Sequence, residues 1–253
     1  MASMPVRPDR PPPPCPSWVY SDKSDTHVAK DRCWFGTDYI PFTSHFTDIT
    51  GGRAEVIGVG TVDLATMMSP PTQTDPGSPS TLRLKNVLHA PAALCNIIGK
   101  PVTEDYTVIC GTTDSDYPGF IVKNTNGNIV AYFKPKDQGP DLYQVQLGKP
   151  PLGHEFGISP LSPNGNYLIH AFWSQRERHR FVIFKFSGLI RASGVEPFTP
   201  TEKKWFTKNR MSEKAIRVAY GLDPNRKEHQ EECRAIMRIL KCQAENEPII
   251  FPY

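Results

Sequence analysis

The chain has 253 residues, 38% hydrophobic and 22% charged, enough to bury a sizeable core in one large domain or two small ones. Its 26 prolines and 18 glycines are too many for a mainly helical protein and favour short strands punctuated by turns. The net charge of +3 hides an asymmetry, since residues 1–147 hold 12 basic and 15 acidic residues and the remainder 17 and 11.

Residues 1–16 carry seven prolines and no apolar run, so they are expected to be a disordered segment with neither a signal-peptide core nor a membrane anchor. Apolar segments then recur at 18–20, 55–64, 82–88, 95–98, 106–110 and 142–147, and these are read as strands. The stretch 69–80, Ser-Pro-Pro-Thr-Gln-Thr-Asp-Pro-Gly-Ser-Pro-Ser, has almost no apolar side chain and is read as an exposed loop. Phe120-Ile121-Val122-Lys123 and Ile129-Val130-Ala131-Tyr132-Phe133 flank Asn126-Gly127, whose residue types take the positive φ angles of a tight hairpin turn.

Gly148-Lys149-Pro150-Pro151-Leu152-Gly153 reads as a linker to a helical part. Ser174 with Glu177, and Thr199 with Glu202, are capping boxes. Ser212 is placed as the cap of a short helix ending at Gly221, and Asp223-Pro224 as the start of a last helix. Along that helix His229, Cys233, Ile236, Met237 and Leu240 fall on one face. The apolar run 181–190 is too short to span a bilayer and contains Lys185, so no membrane association is expected and the location is taken as intracellular, cytoplasmic or nuclear. Six cysteines lie without a Cys-x-x-Cys pair, which argues for reduced thiols; His229 with Cys233 lacks a second ligand pair, and neither a metal nor a cofactor is expected.

Four segments carry a resemblance in a fixed order. They are Trp18-Val19-Tyr20-Ser21-Asp22-Lys23-Ser24-Asp25-Thr26-His27, Gly58-Val59-Gly60-Thr61-Val62, Leu82-Arg83-Leu84-Lys85-Asn86-Val87-Leu88, and Asn96-Ile97-Ile98-Gly99-Lys100. The series resembles the protease of copia-type retrotransposon polyproteins, which runs from Trp-apolar-apolar-Asp-Ser-Gly-Ala with a nearby His, through Gly-x-Gly-Thr-Val, to Leu-x-Leu-x-x-Val-Leu; the last segment is similar to one near the end of retroviral proteases. The helical tail, with Thr201-Glu202-Lys203-Lys204, looks like that of fungal chromosomal proteins that keep the transposon-type barrel. The resemblance implies an α+β protein: a retropepsin-like closed β-barrel over residues 17–147, with 148–253 as linker and helical region packing on it.

It also implies what has been lost. Such proteases draw one Asp from each of two subunits, and the pair shares a proton to polarise a water. The matching position is Ser21, which cannot hold the charge, and the family's Gly is replaced by bulky, cationic Lys23. Adjacent side chains of an extended segment point to opposite faces, which aims Asp22 away from the dyad. The degenerate motif is therefore Ser21, Asp22, Lys23 and Ser24, and no catalytic residue is assigned. Asp25 and Lys100 match an acidic and a basic residue that pair in retroviral proteases, and are expected to form a structural ion pair.

The function expected is a catalytically inactive, retrotransposon-derived interaction or assembly module with an unidentified protein partner and a capacity to homodimerise. Two rivals are carried: an atypical aspartic endopeptidase using Asp22 or Asp25 in a homodimer, and a nucleic-acid-binding module using the basic C-terminal helices, with the Arg176-Glu177-Arg178-His179-Arg180 run as its first candidate contact.

Overall fold

The computed structural model describes residues 12–70, 77–111, 118–135, 140–186, 196–220 and 222–246. Two compact units divide the chain: Pro13–Glu177, and Arg178–Tyr253 together with Met1–Pro12. Most of the expected N-terminal segment and half of the Ser-Pro-rich loop, 71–76, lie outside the described residues, and the loop's last two residues, Pro79 and Ser80, begin β5.

Among the described residues the first unit holds ten strands, β1 (Trp18–Ser21), β2 (Val28–Ala29), β3 (Ile40–Thr47), β4 (Arg53–Met67), β5 (Pro79–His89), β6 (Asn96–Gly99), β7 (Tyr106–Cys110), β8 (Gly119–Lys123), β9 (Ile129–Tyr132) and β10 (Tyr143–Gln144). They form a seven-stranded sheet in the order β10-β1-β6-β2-β5-β4-β3 and a three-stranded sheet β7-β8-β9. The β1–β6 and β2–β5 pairs are parallel and the other pairs antiparallel.

The expected closed barrel is not what forms. The architecture is a mixed α and β one, with two open sheets and, over both units, four helices among the described residues. Closure fails at the segment 142–147, which was read as one strand but pairs as a ladder only over Tyr143–Gln144. Beyond it the contacts shrink to single bridges, Phe133 with Val145 and Thr66 with Leu147, too few to make one continuous ladder of the two sheets.

Spacing in the sequence explains the centre of the large sheet. In β5 Leu82 and Leu84 are buried while Arg83 and Lys85 face outward, the alternation of a half-buried strand. The interval from Leu84 to the next core residue, Val87, is three, and there the register against β4 shifts between Gly60 and Val62. Asn86 absorbs the extra residue at φ 52°, a left-handed conformation Asn tolerates better than most side chains. The bulge puts Val87 back on the buried face. Gly58 and Gly60 of β4 are sites of close approach: a Cβ on Gly58 would lie 2.1 Å from the Tyr39 hydroxyl, and one on Gly60 3.1 Å from Phe35.

The expected hairpin of β8 and β9 is present with a wider turn. The Lys123 N–H donates to Asn128 O at 2.9 Å and the Gly127 N–H to Lys123 O at 2.9 Å, and Gly127 alone of the Asn-Gly pair takes positive φ, at 68°. The strands β2 and β3 were missed in the sequence; β2 has two residues, and Pro41 and the bulge between Pro41 and Ser44 interrupt the alternation of β3. Residues 148–177 belong to this unit, with Gly148 N–H donating to Ala65 O at 2.8 Å and Thr47 N–H to Phe172 O at 2.9 Å.

Helix α1 (Gln175–Phe186) opens on the expected cap, the Glu177 N–H donating to Ser174 Oγ at 3.3 Å. The second unit contains α2 (Pro200–Lys208), α3 (Glu213–Tyr220) and α4 (Lys227–Asn246). The Thr199–Glu202 capping box forms in full, and Glu202 also accepts from Arg238 Nε at 2.7 Å, fixing the start of α2 to α4. That guanidinium, first among the causes, holds the Glu202 carboxyl down at about 2. Ser212 accepts the Ala215 N–H at 3.1 Å as the cap of α3. The α4 helix starts three residues later than Asp223-Pro224 suggested, because Asp223 closes a turn instead, accepting the Asn225 N–H at 2.8 Å. Cys233, Ile236 and Met237 form the buried face of α4, with Phe206, Ile216 and Tyr220 in the same unit's core.

Candidate functional site

Strand β1 lies inside the large sheet, between β10 and β6, so the segment matching the catalytic motif starts from a fixed backbone. Ser21 ends β1 opposite Gly99, and its carbonyl accepts the Ser24 N–H at 3.2 Å, turning the chain tightly. That turn pushes Asp22 and Lys23 into solvent, where their charged ends pair with each other at 3.4 Å. Ser21 itself is buried at 9% exposure, and its hydroxyl is in no hydrogen bond among the described residues.

The next two residues, Ser24 buried and Asp25 exposed, both act on their own chain. Ser24, fully buried, accepts the Ala171 N–H on its hydroxyl at 3.0 Å. Asp25 donates its N–H to Ala171 O at 3.0 Å, and its Oδ1 accepts the Trp173 N–H at 2.8 Å. The motif thus holds segment 171–173 by three hydrogen bonds. Trp173 continues the network, its Nε1 donating to Ser44 Oγ at 3.0 Å while Ser44 donates to the buried carboxylate of Glu177 at 2.6 Å. No pattern in the sequence pointed to residues 171–177 as neighbours of Ser24, because their partners are 129 to 148 residues away.

The segment after Ile97-Ile98-Gly99 meets the motif from the other side. The Lys100 N–H donates to Ser24 O at 2.8 Å, bringing together the two backbones that carry Asp25 and Lys100, and the Lys100 side chain is exposed. The Gly99 N–H donates to His27 Nδ1 at 3.0 Å, which leaves the imidazole proton on Nε2. His27 is 3% exposed and serves here as an internal acceptor. A Cβ on Gly99 would sit 2.2 Å from Thr26 O, so only glycine allows this approach.

Other candidates separate in space or chemistry. His229 Nδ1 accepts the Asp223 N–H at 2.9 Å and Cys233 donates to Glu213 O at 3.7 Å, two different partners for the two members of the expected half-site. Among the described residues no three His, Cys, Asp or Glu side chains are grouped to hold a metal ion. The Arg176–Arg180 run does not present one free basic face, since Arg178 and Arg180 are half-buried and engaged. A groove of 260 Å³ in the first unit is lined by Cys33, Trp34, Phe35, Asp63, Lys149 and Leu152 among others. Burial pushes the Cys33 thiol up to about 12, which denies it a reactive thiolate, and Asp63 is tied to Arg83 at 3.3 Å.

Comparison with known family profiles, with curated proteins and with solved structures finds no match for this chain. No helix among the described residues is long and apolar enough to cross a membrane.

Proposed function

We propose that the chain is a catalytically inactive interaction or assembly module derived from a copia-type retrotransposon protease. The observation that carries this reading is the use of the motif by its own chain. Ser24 and Asp25 hold residues 171–173, Asp22 and Lys23 neutralise each other in solvent, and Ser21 stands where the resemblance requires a carboxylate. The general base of an aspartic protease is a carboxylate within hydrogen-bond reach of a water in a shared site. Asp22, exposed beside an ammonium, and Asp25, engaged with a backbone amide, are both poorly placed for that.

The reading rests on the backbone bond from the Lys100 N–H to Ser24 O and not on the expected Asp25–Lys100 ion pair, because the exposed Lys100 ammonium is in no ion pair among the described residues. It also includes a protein partner, a second copy of the chain being the first to test, and action inside the cell. The described cysteines Cys15, Cys33, Cys95, Cys110 and Cys233 are all free thiols, which suits a reducing compartment. The test is cleavage of an unbiased peptide library by wild type, Asp22→Asn and Asp25→Asn between acidic and neutral pH. No cleavage is expected from any of them. Cleavage by wild type that a pepstatin-type inhibitor blocks and one substitution abolishes would overturn the proposal.

A further inference from the structure

The charge of the chain follows its division into units. The unit Pro13–Glu177 holds 12 basic and 16 acidic residues, a net of −4, whereas the unit containing α2, α3 and α4 holds 17 and 10, a net of +7. Part of that excess is concentrated at one corner. Lys203, Lys204 and Lys208 on α2, Arg210 in the connection and Lys214 on α3 occupy 12 consecutive residues, and all five are exposed. Among the described residues none of these five side chains is in a hydrogen bond or an ion pair. Glu213, the acidic residue inside the stretch, is engaged with Arg217 at 3.0 Å and so does not neutralise them.

The backbone suits the charges. A connection of four residues, 209–212, joins α2 to α3, and Arg210 makes the bend at φ 54°. Lys204 with Lys208, and Arg210 with Lys214, are each four apart. On α3 the exposed residues beside Lys214 are Ala215 and Val218, small enough for a polyanion to approach the helix closely. The aromatic residues of the corner are not available for stacking on unpaired bases. Phe206 and Tyr220 are buried, and the half-buried Trp205 ring is engaged by the Phe206 edge and by the Lys241 ammonium, 5.6 Å from its centroid. Single-strand binding relies on such exposed rings, whereas a duplex is held through its phosphates alone.

We propose that the α2–α3 corner docks the phosphate backbone of duplex DNA, without base readout. Each neutralised phosphate contributes about 0.9 to the slope of log affinity against log salt, so engagement of all five cations weakens binding several-hundred-fold between about 50 and about 200 mM salt. The experiment titrates a short random-sequence duplex into the full chain across this range by fluorescence anisotropy. It then repeats the titration with Lys204→Gln, Lys208→Gln and Lys214→Gln combined, and with a control carrying Lys123→Gln and Lys149→Gln in the other unit. Arg210 is kept, because its left-handed backbone would strain most replacements. Far-ultraviolet circular dichroism establishes that each variant keeps its helices.

The expected result is a slope shallower by about 2.7 in the triple variant and unchanged in the control, with duplex bound more tightly than single strands. Absence of duplex binding at low salt would overturn the proposal, as would a slope that the triple variant leaves unchanged. Equal or tighter binding of single strands would overturn the duplex assignment, and binding to anionic lipid vesicles without duplex binding would assign the corner to a membrane surface instead. None of these outcomes bears on peptidase activity, so this proposal and the inactive-module reading stand or fall separately.

Discussion

His89 should make the first unit acid-sensitive. It is 1% exposed, packed against Phe35 and Tyr39, with the Tyr39 hydroxyl 2.7 Å from Nδ1 and the Lys30 backbone as a second partner. Burial first, and then the Arg32 guanidinium, drive its pKa from 6.5 down to about 3. Folding therefore requires the neutral ring while the unfolded chain binds a proton, and stability that is complete above pH 6.5 is lost as pH falls toward about 3. One proton taken up by the unfolded state alone corresponds to about 1.4 kcal/mol per pH unit within that window. The double variant Tyr39→Phe, His89→Phe removes the titrating group and its hydroxyl partner together, replacing them by apolar rings of similar shape and leaving no orphaned donor between them. Urea unfolding followed by tryptophan fluorescence at several pH values gives the slope for each protein. Wild type should lose stability more steeply than the double variant by about 1.4 kcal/mol per pH unit. Equal slopes would refute the reasoning, since they would mean that His89 becomes protonated in the folded unit. Glu202 titrates in a lower window, its stability lost as pH falls from 4.5 through about 2, and it lies in the other unit.

Two further outcomes test the motif as structure. Gly99→Ala would drive a methyl into Thr26 O and should destabilise the first unit by ~3 kcal/mol, read as a drop in the urea midpoint; a shift near zero would mean that Gly99 does not approach the Thr26 backbone as closely as described. Ser24→Ala leaves the buried Ala171 N–H without its acceptor and should cost ~1–3 kcal/mol, whereas Asp25→Asn keeps an oxygen for the Trp173 N–H and should cost less; the reverse order in the same assay would contradict the hydrogen-bond assignment.

Much of the first unit was legible because its strands are short, apolar and locally patterned. The Leu-x-Leu-x-x-Val-Leu spacing already contained the bulge at Asn86, and the Gly58-x-Gly60 pair lies where the β4 backbone is approached closely. Sheet closure was not legible, because it depends on how many residues of segment 142–147 find partners, and single bridges replaced the expected ladder. In the candidate site the loss of the matched carboxylate at Ser21 could be read directly. The use of Ser24 and Asp25 to hold residues 171–173 could not, since that contact joins an extended segment without periodicity to a motif almost the whole unit away in sequence. The basic corner was hidden differently: in sequence the densest charge run is Arg176–Arg180, but Arg178 and Arg180 are half-buried and engaged, whereas the five cations of the sparser stretch from Lys203 to Lys214 are all exposed.

The central claim is that the motif no longer holds a carboxylate pair able to bind a transition-state mimic, and titration calorimetry with a pepstatin-type inhibitor tests it without relying on turnover. Between pH 6.5 and neutrality, where His89 is neutral in the folded chain, the account predicts no saturable heat with wild type, alone or concentrated enough to self-associate. Stoichiometric binding of one inhibitor per two chains, lost in Asp22→Asn or in Asp25→Asn, would contradict it.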